Sequence, residues 1–442
     1  MLSSERGGGE SNDRVVRRAG VAVFVVFLLS GVDFASWASR LPAVRDSLGL
    51  DPAQVGLVLL VGAIGSLVSL PLSGVVVDRI GARRTVVTFA VLCAIGLLTA
   101  SLGSALGAIA LVVAGLVLFG VGAGVWDAAM NLAGVAVEQR LGRSIMPRFH
   151  AGFSVGTMLG AGIGAVAAAV HASVLAHLTI VIVASTVAVA WAVRAFLPGP
   201  RPHRAATPAP VDDADGTAPA LQDDTAAPVP GGGGAAPVAS RPGAFAGWLE
   251  PRTLMIGLIV FAAALTEGSA NDWVSLSVVD GFGTTHAGGA LAFGLFVTAM
   301  TAMRLLGTAL LDRFGRIPVL RLAAGLAVVG LLLFGLVPSM PIALVGVALW
   351  GVGAALGFPV GMSAASDDPA RAAARVSVVS TIGYSAFLAG PPLLGLLANQ
   401  VGYRHALLVI VIPVVAGLAV LRAAAPLRGP GVVDGAAAVP AR

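Results

Sequence analysis

The sequence predicts an all-α integral membrane protein with twelve transmembrane helices in two pseudo-symmetric six-helix bundles. Composition is the first reason. Of 442 residues, 57% are hydrophobic and 11% charged, with a mean hydropathy of +0.93, where a soluble domain carries roughly 25% charged residues. The second is a series of twelve apolar runs, each near the ~20 residues that a spanning helix needs. The third is a short charged turn that occurs twice, at corresponding places in the two halves. It reads Gly74-Val75-Val76-Val77-Asp78-Arg79-Ile80-Gly81-Ala82-Arg83-Arg84 and then Leu311-Asp312-Arg313-Phe314-Gly315-Arg316. Each copy joins one apolar run to the next, so each is a tight loop at a bilayer face.

In order, the runs of the first half cover 16–39, 53–77, 84–102, 106–132, 149–170 and 174–197. Those of the second half cover 253–275, 288–311, 317–337, 341–363, 375–398 and 403–424. They are continuously apolar and do not alternate, which implies helices and not barrel strands. Pro71, Pro359, Pro391, Pro392 and Pro413 fall inside runs. Membrane helices tolerate proline and often kink there. Residues 199–250 are rich in Pro, Ala, Gly and Asp and bury no core. They are expected to form a disordered linker between bundles 14–198 and 251–425, with disordered tails at 1–13 and 426–442.

Every one of the 27 basic residues is arginine, and their placement sets an orientation. With the N-terminus inside, Arg14, Arg17, Arg18, Arg79, Arg83, Arg84, Arg140, Arg143 and Arg148 fall on the cytoplasmic side. So do Arg201, Arg204, Arg241, Arg252, Arg313, Arg316, Arg321, Arg371 and Arg375, whereas the opposite loops hold Arg40, Arg45 and Arg404. This asymmetry predicts a multi-pass protein of the plasma membrane with both termini and the linker cytoplasmic. The first run is full-length and eleven follow it, which argues against a cleaved signal peptide. The single cysteine, Cys93, lies in an apolar run and reads as a packing residue.

The repeat extends beyond the turn. Leu118-Phe119-Gly120-Val121-Gly122-Ala123-Gly124 in the fourth run matches Leu349-Trp350-Gly351-Val352-Gly353-Ala354-Ala355 in the tenth. Ser154-Val155-Gly156 resembles Thr381-Ile382-Gly383, and Trp37 aligns roughly with Trp273. Duplicated membrane halves are the architecture of secondary transporters, with the substrate site between them.

The Asp-Arg-x-Gly turns after the second and eighth helices, the twelve spans and the central linker resemble the major facilitator superfamily over almost the whole chain. Gly74, Asp78, Arg79, Gly81, Arg83 and Arg84 match the loop signature of that family. The second copy, with Asp312, Arg313, Gly315 and Arg316, is degenerate, its preceding glycine displaced to Gly307. More narrowly, Asp127-Ala128-Ala129-Met130-Asn131, Val137-Glu138 and Phe149-His150-Ala151-Gly152-Phe153-Ser154-Val155-Gly156 are similar to the branch named for the rhizopine-associated membrane protein MosC. The resemblance implies alternating access, a cavity lined by the first, fourth, seventh and tenth helices, and a cytoplasmic latch formed by the loop motif in the outward-facing state. Positive-inside topology is the competing reading of that motif; the latch suits Asp78 and Arg79, and the topology reading suits Arg83 and Arg84. The antiporter signature of the family puts a Gly-Pro pair in the fifth helix. Gly160-Ala161-Gly162 has no proline there, which argues against drug/proton antiport.

Ionisable residues inside spans are costly and are candidate functional groups. Asp33 and Trp37 lie one turn apart on the first helix, as do Asp127 and Asn131 near the inner end of the fourth, and Glu267 and Asn271 on the seventh, with Asp272 and Trp273 beside them. His150 pairs with Ser154 in the same way, and Arg304 lies about two turns inside the eighth helix. Asp127 either contacts solute or joins packing or the latch with Arg140 or Arg148. His150 is either structural or a proton relay, and Asp272 either lines the cavity or reaches outer water. Arg304 is either an ion-pair partner or part of a polar gate, and a carboxylate is needed beside it in both cases. Glu267, mid-span with no interface to reach, is the best candidate for proton or substrate contact. Trp37 and Trp273 are either cavity walls or members of an interfacial belt. Gly152, Gly156, Gly160 and Gly164 form a four-residue ladder on which another helix can pack closely.

No Walker loop, Gly-x-Ser-x-Gly elbow, HExxH or zinc spacing is present, and the chain does not read as an enzyme. The expectation is a monomeric secondary transporter for a small solute, proton-coupled, acting in the lipid bilayer, with no cofactor, metal or nucleic acid. A transport-inactive receptor or scaffold on the same fold is the alternative from another class. Within transport, uptake of a sugar- or inositol-like solute competes with efflux of a drug or metabolite.

Overall fold

The computed structural model describes residues 4–142, 145–197, 246–368 and 371–427, and among them every regular element is helical. The first half holds α1 (Ser4–Ala38), α2 (Leu41–Leu48), α3 (Pro52–Ile80), α4 (Ala82–Leu106), α5 (Ile109–Leu141), α6 (Met146–Ala169) and α7 (Val174–Ala192). The second holds α8 (Pro251–Phe282), α9 (His286–Phe314), α10 (Arg316–Leu336), α11 (Met340–Ala354), α12 (Gly357–Ala365), α13 (Ala372–Val401), α14 (Tyr403–Ala406) and α15 (Val411–Ala419). Most of the expected linker, 199–245, and residues 428–442 of the expected tail lie outside the described residues; 246–249 form a 3-10 turn into α8. Helix α1 begins at Ser4, within the stretch expected to be a tail.

Four elements depart from the sequence reading. The first span is followed by a separate short helix, α2, opened by Pro42 near its N-terminus and closed by Gly49 at φ 61°. The fourth span, expected to end at 132, runs to Leu141 and is closed by Gly142 at φ 62°. Polar residues late in that helix did not break it, because Glu138, Gln139 and Arg140 are good helix formers. The tenth span is broken between α11 and α12. Pro359 has no N–H to offer the carbonyl of Ala355, four residues before it, so the ladder is interrupted there. The twelfth span is a chain of short turns: α14, a 3-10 turn at Leu407–Ile410, α15, and a 3-10 turn at Leu421–Ala424. Pro413 removes the donor due to Val409, where the 3-10 turn lies. Among the described residues eleven helices are long and apolar enough to cross a membrane, and Tyr403–Ala419, in the place of the twelfth run, is a shorter apolar stretch.

The duplicated turn has one geometry in both halves. Gly81 ends α3 and starts α4 at φ 81°, and Gly315 ends α9 and starts α10 at φ 79°. A residue with a Cβ is strained at that φ, so glycine permits the reversal without a loop. The face carrying these turns is termed the motif face.

The glycine ladder of α6 lies on α1. A Cβ at Gly156 would overlap the Leu28 carbonyl, one at Gly160 would come within 2.5 Å of the Val32 carbonyl oxygen, and Gly152 and Gly164 face Phe24 and Ser39. Two seams join the halves, α3 with α13 and α6 with α9. The repeat exchanges them, since they pair the second helix with the eleventh and the fifth with the eighth. Both seams close near the face opposite the motif: Gly56 abuts the Pro391 backbone, Gly395 abuts Pro52, and Gly294 faces Ala161.

Candidate functional site

The apolar core is divided in a way that makes a cavity. One buried cluster runs through the second half and crosses into the first on the opposite face; it takes Trp37, Leu41, Val55 and Val58 from the first half and Trp273, Phe293 and Leu394 from the second. The other, with Val23, Phe27, Val86, Trp126, Met130 and Phe149, belongs to the motif-face end of the first half alone. The halves are thus fused at one end and separately packed at the other. Between them lies a cavity of about 420 Å³, lined by α1, α2, α3, α4, α5, α6, α8 and α13.

Ion pairs seal the fused end. Arg45 of α2 donates to Asp280 of α8 at 2.5 Å and to Asp46 beside it. His286, the first residue of α9, bonds Asp46 at 2.8 Å. The Arg45 guanidinium also lies 5.7 Å from the centre of the Tyr403 ring. Sequence reading missed this cluster. Its one signal was that Arg45 stood among few arginines on that side; the partners come from distant parts of the chain.

The predicted residues divide into three groups. Asp33, Trp37, Asp127, Asn271 and Asp272 line the cavity, together with Trp126, Phe153, Tyr384 and Phe387. Asp33 is buried and accepts a hydrogen bond from Ser185 Oγ at 3.0 Å. Asp127 stands well inside α5 because that helix continues to Leu141, and it is exposed in the cavity wall. Asn131 Nδ2 donates to the Asp127 carbonyl at 2.8 Å. Asp272 therefore lies in the cavity wall and not at an outer surface.

Glu267 and Arg304 form the second group. Arg304 Nη2 donates to Glu267 Oε2 at 2.7 Å, tying α9 to α8. Arg304 Nε donates to the Ala355 carbonyl at 3.3 Å. That carbonyl is the one deprived of its helical donor by Pro359, so the guanidinium fills the break in the tenth span. Trp273 is also apart from the cavity: it is buried within the second half, its ring 5.7 Å from Tyr403. His150 sits against the Phe27 ring at 5.2 Å.

The loop motif is the third group, and its two copies differ. Among the described residues Asp78, Arg79, Arg83 and Arg84 make no ion pair. In the second copy Arg316 Nη1 donates to both carboxylate oxygens of Asp367 at 2.9 Å, and its Nη2 reaches Ser363 Oγ at 3.1 Å. Arg252 joins Asp367 at 3.2 Å. Among the described residues Asp312 makes no ion pair, and Arg313 lies over the Phe314 ring at 5.2 Å. Near by, Glu250 accepts from Arg375 Nε at 2.7 Å. The Arg375 guanidinium holds the Glu250 carboxyl below the ordinary glutamate value of 4.5. In the first half Glu138 accepts the N–H groups of Ile145 and Met146 at 2.7 and 2.8 Å, capping the start of α6.

Among the described residues no group of three or more His, Cys, Asp or Glu side chains is arranged to hold a metal ion. The arrangement is suited to holding a small molecule between the two halves.

Comparisons with known proteins agree with this architecture. The family model of the Major Facilitator Superfamily matches residues 23–384 and 256–438. The chain is 31% identical over 379 residues to the uncharacterized transporter y4wD of Sinorhizobium fredii, covering 86% of this chain and 90% of that one. It is 27% identical over 397 residues to the membrane protein MosC of Rhizobium meliloti, covering 88% and 86%. Among solved structures, a variant of the nucleoside transporter NupG superposes with a TM-score of 0.67 at 14% identity, covering 92% of this chain and 99% of that one.

Proposed function

The chain belongs to the major facilitator superfamily, and from that premise we propose that it is a proton-coupled secondary carrier that moves a small solute across the plasma membrane by alternating access. The observation that carries the reading is the cavity between the halves, lined by ionisable groups from both and sealed at one face by Arg45, Asp46, Asp280 and His286. The arginine asymmetry makes the motif face cytoplasmic. The arrangement is then inward-open, with the solute site continuous with the cytoplasm. Asp78 and Arg79, which make no ion pair among the described residues, latch the cytoplasmic ends when the halves rock the other way and the outer ion pairs part.

Coupling follows from the Glu267–Arg304 pair. Glu267 cannot hold a proton and accept fully from the guanidinium together, so a proton arriving at Glu267 releases Arg304 from α8. Arg304 remains bonded to the Ala355 carbonyl, which passes the change to the break in the tenth helix. Asp33, Asp127 and Asp272 contact the solute.

Purified protein in liposomes with a trapped pH-sensitive dye tests this. Sugars, polyols, nucleosides and amines are added in turn under each sign of pH gradient. A carrier moves protons when one class of solute is present and not otherwise. Folded protein that gives no solute-evoked proton movement with any class would overturn the proton-coupled reading.

A further inference from the structure

Helix α2 has no counterpart in the second half. Only Gly283, Thr284 and Thr285 join α8 to α9, whereas the matching connection of the first half holds this helix of eight residues. Leu41, at its start, lines the cavity. One turn on, Arg45 and Asp46 cross to Asp280 and His286 of the second half. Ser47 Oγ lies 2.7 Å from Ser104 Oγ, which holds α2 to α4 of its own half. One short helix thus reaches from the cavity wall to the charged seal, and it belongs to the first half.

The seal is one positive charge short. The Arg45 guanidinium faces two carboxylates, those of Asp46 and Asp280. The fourth member is His286, whose Nε2 lies 2.8 Å from Asp46 Oδ2 and which is charged only when protonated. Between pH 5 and 8 Asp and Arg side chains ordinarily keep their charge, and His changes its own. A proton on His286 therefore balances the cluster and turns a neutral hydrogen bond between the halves into an ion pair. The His286 side chain is 36% exposed, so it exchanges protons with water on this face. Neighbouring groups are engaged elsewhere or neutral. Arg40 donates to the Ala172 carbonyl, Arg404 to the carbonyls that end α10, and the His405 ring bonds the Val401 carbonyl. Tyr403 lies beside Arg45. His171, just past the end of the α6 helix that packs along α9, and His177 of α7 make no ion pair among the described residues.

We propose that α2 is a lid on the outer face and that its latch is closed by a proton: His286, once protonated, holds Asp46, so that acid outside the cell keeps the outer ends of the two halves together. This proton is not carried across; it sets how often the outer face opens. The inference rests on the alternating-access reading and on the orientation that makes this face the outer one.

The test is the rate at which a membrane-impermeant thiol reagent, applied to intact cells, reaches Ser66→Cys on the cavity wall in a Cys93→Ser background. Ala63→Cys, also on the α3 wall, replaces that position where it fails to fold. Rates are compared between His286 and His286→Gln at one external pH, so the reactivity of the thiol itself cancels. At pH 6 the parent should be labelled about two- to fivefold more slowly than His286→Gln, the size of a solvent-exposed ion pair. At pH 8 the two should converge. His286→Lys, charged at both values, should stay slow at both. Three results would overturn the proposal: a ratio of parent to His286→Gln that is the same at both pH values, a parent that opens faster in acid than His286→Gln, or a His286→Lys labelled as fast as His286→Gln. Equal labelling of parent and His286→Gln would leave the carrier reading standing, since the seal still opens; no labelling of either would overturn the lid and alternating access together. The predicted pH response without solute-evoked proton movement in liposomes would support the lid and count against proton coupling alone.

Discussion

Glu250 shows at one residue how this chain fastens a helix end. It precedes α8, accepts two bonds from Arg375 and one from Thr253, and so ties the start of α8 to α13. Its carboxyl is held below 4.5 mainly by the Arg375 hydrogen bonds. A depressed carboxyl contributes stability above its unfolded range, and that contribution is lost as pH falls through the folded value. Glu250→Gln should therefore lower the melting temperature at pH 7, and the gap from the parent should close as pH falls below the ordinary glutamate value. A gap that stays constant with pH would place the effect in packing and not in charge. Glu267 makes a second test. Glu267→Gln and Arg304→Gln each strand one partner of a partly buried pair, at a cost on the order of 3 kcal/mol. The double variant should recover much of that loss in a thermal double-mutant cycle. Strict additivity would mean that the pair does not couple, and the release of Arg304 by a proton on Glu267 would fail with it.

At the scale of elements, the α1–α6 seam is set by backbone approach. Gly156→Val should be severely destabilising, beyond the 1–3 kcal/mol typical of overpacking, because the obstacle is the Leu28 carbonyl and not a side chain that can turn aside. Gly162→Ala, whose Cβ meets nothing within 4 Å, is the control and should be neutral in expression and melting temperature. Equal behaviour of the two would refute close packing. The ladder was legible in the sequence because its period is that of a helix face. The duplicated turn was legible because a positive φ demands glycine in both copies. The length of α5 was not legible, since a polar end on a membrane helix looks like a loop. Nor was the break in the tenth span: Pro359 signalled a kink, yet that Arg304 fills the orphaned Ala355 carbonyl depends on a helix packed from elsewhere. The same holds for the Arg45–Asp280 and His286–Asp46 pairs, which depend on how the two halves meet. Asp33, Asp127 and Glu267 stood out as charges in apolar runs, but which of them met an arginine and which met the cavity was a matter of tertiary placement.

The whole molecule is two bundles fused at one face and parted at the other, and the central claim is that these states exchange. Spin-label distance measurements on reconstituted protein in a Cys93→Ser background test it most directly. One pair of labels, at Ala105 and Pro338, spans the halves on the ion-paired face; the other, at Arg140 and Arg321, spans them on the motif face. Asp280→Asn removes a charge that holds Arg45 at the seal of the ion-paired face, so it should populate the alternate state. The account predicts opposite changes in one sample: a longer Ala105–Pro338 distance together with a shorter Arg140–Arg321 distance. Distances that lengthen together, or an Ala105–Pro338 pair that opens while the motif-face pair stays fixed, would contradict it.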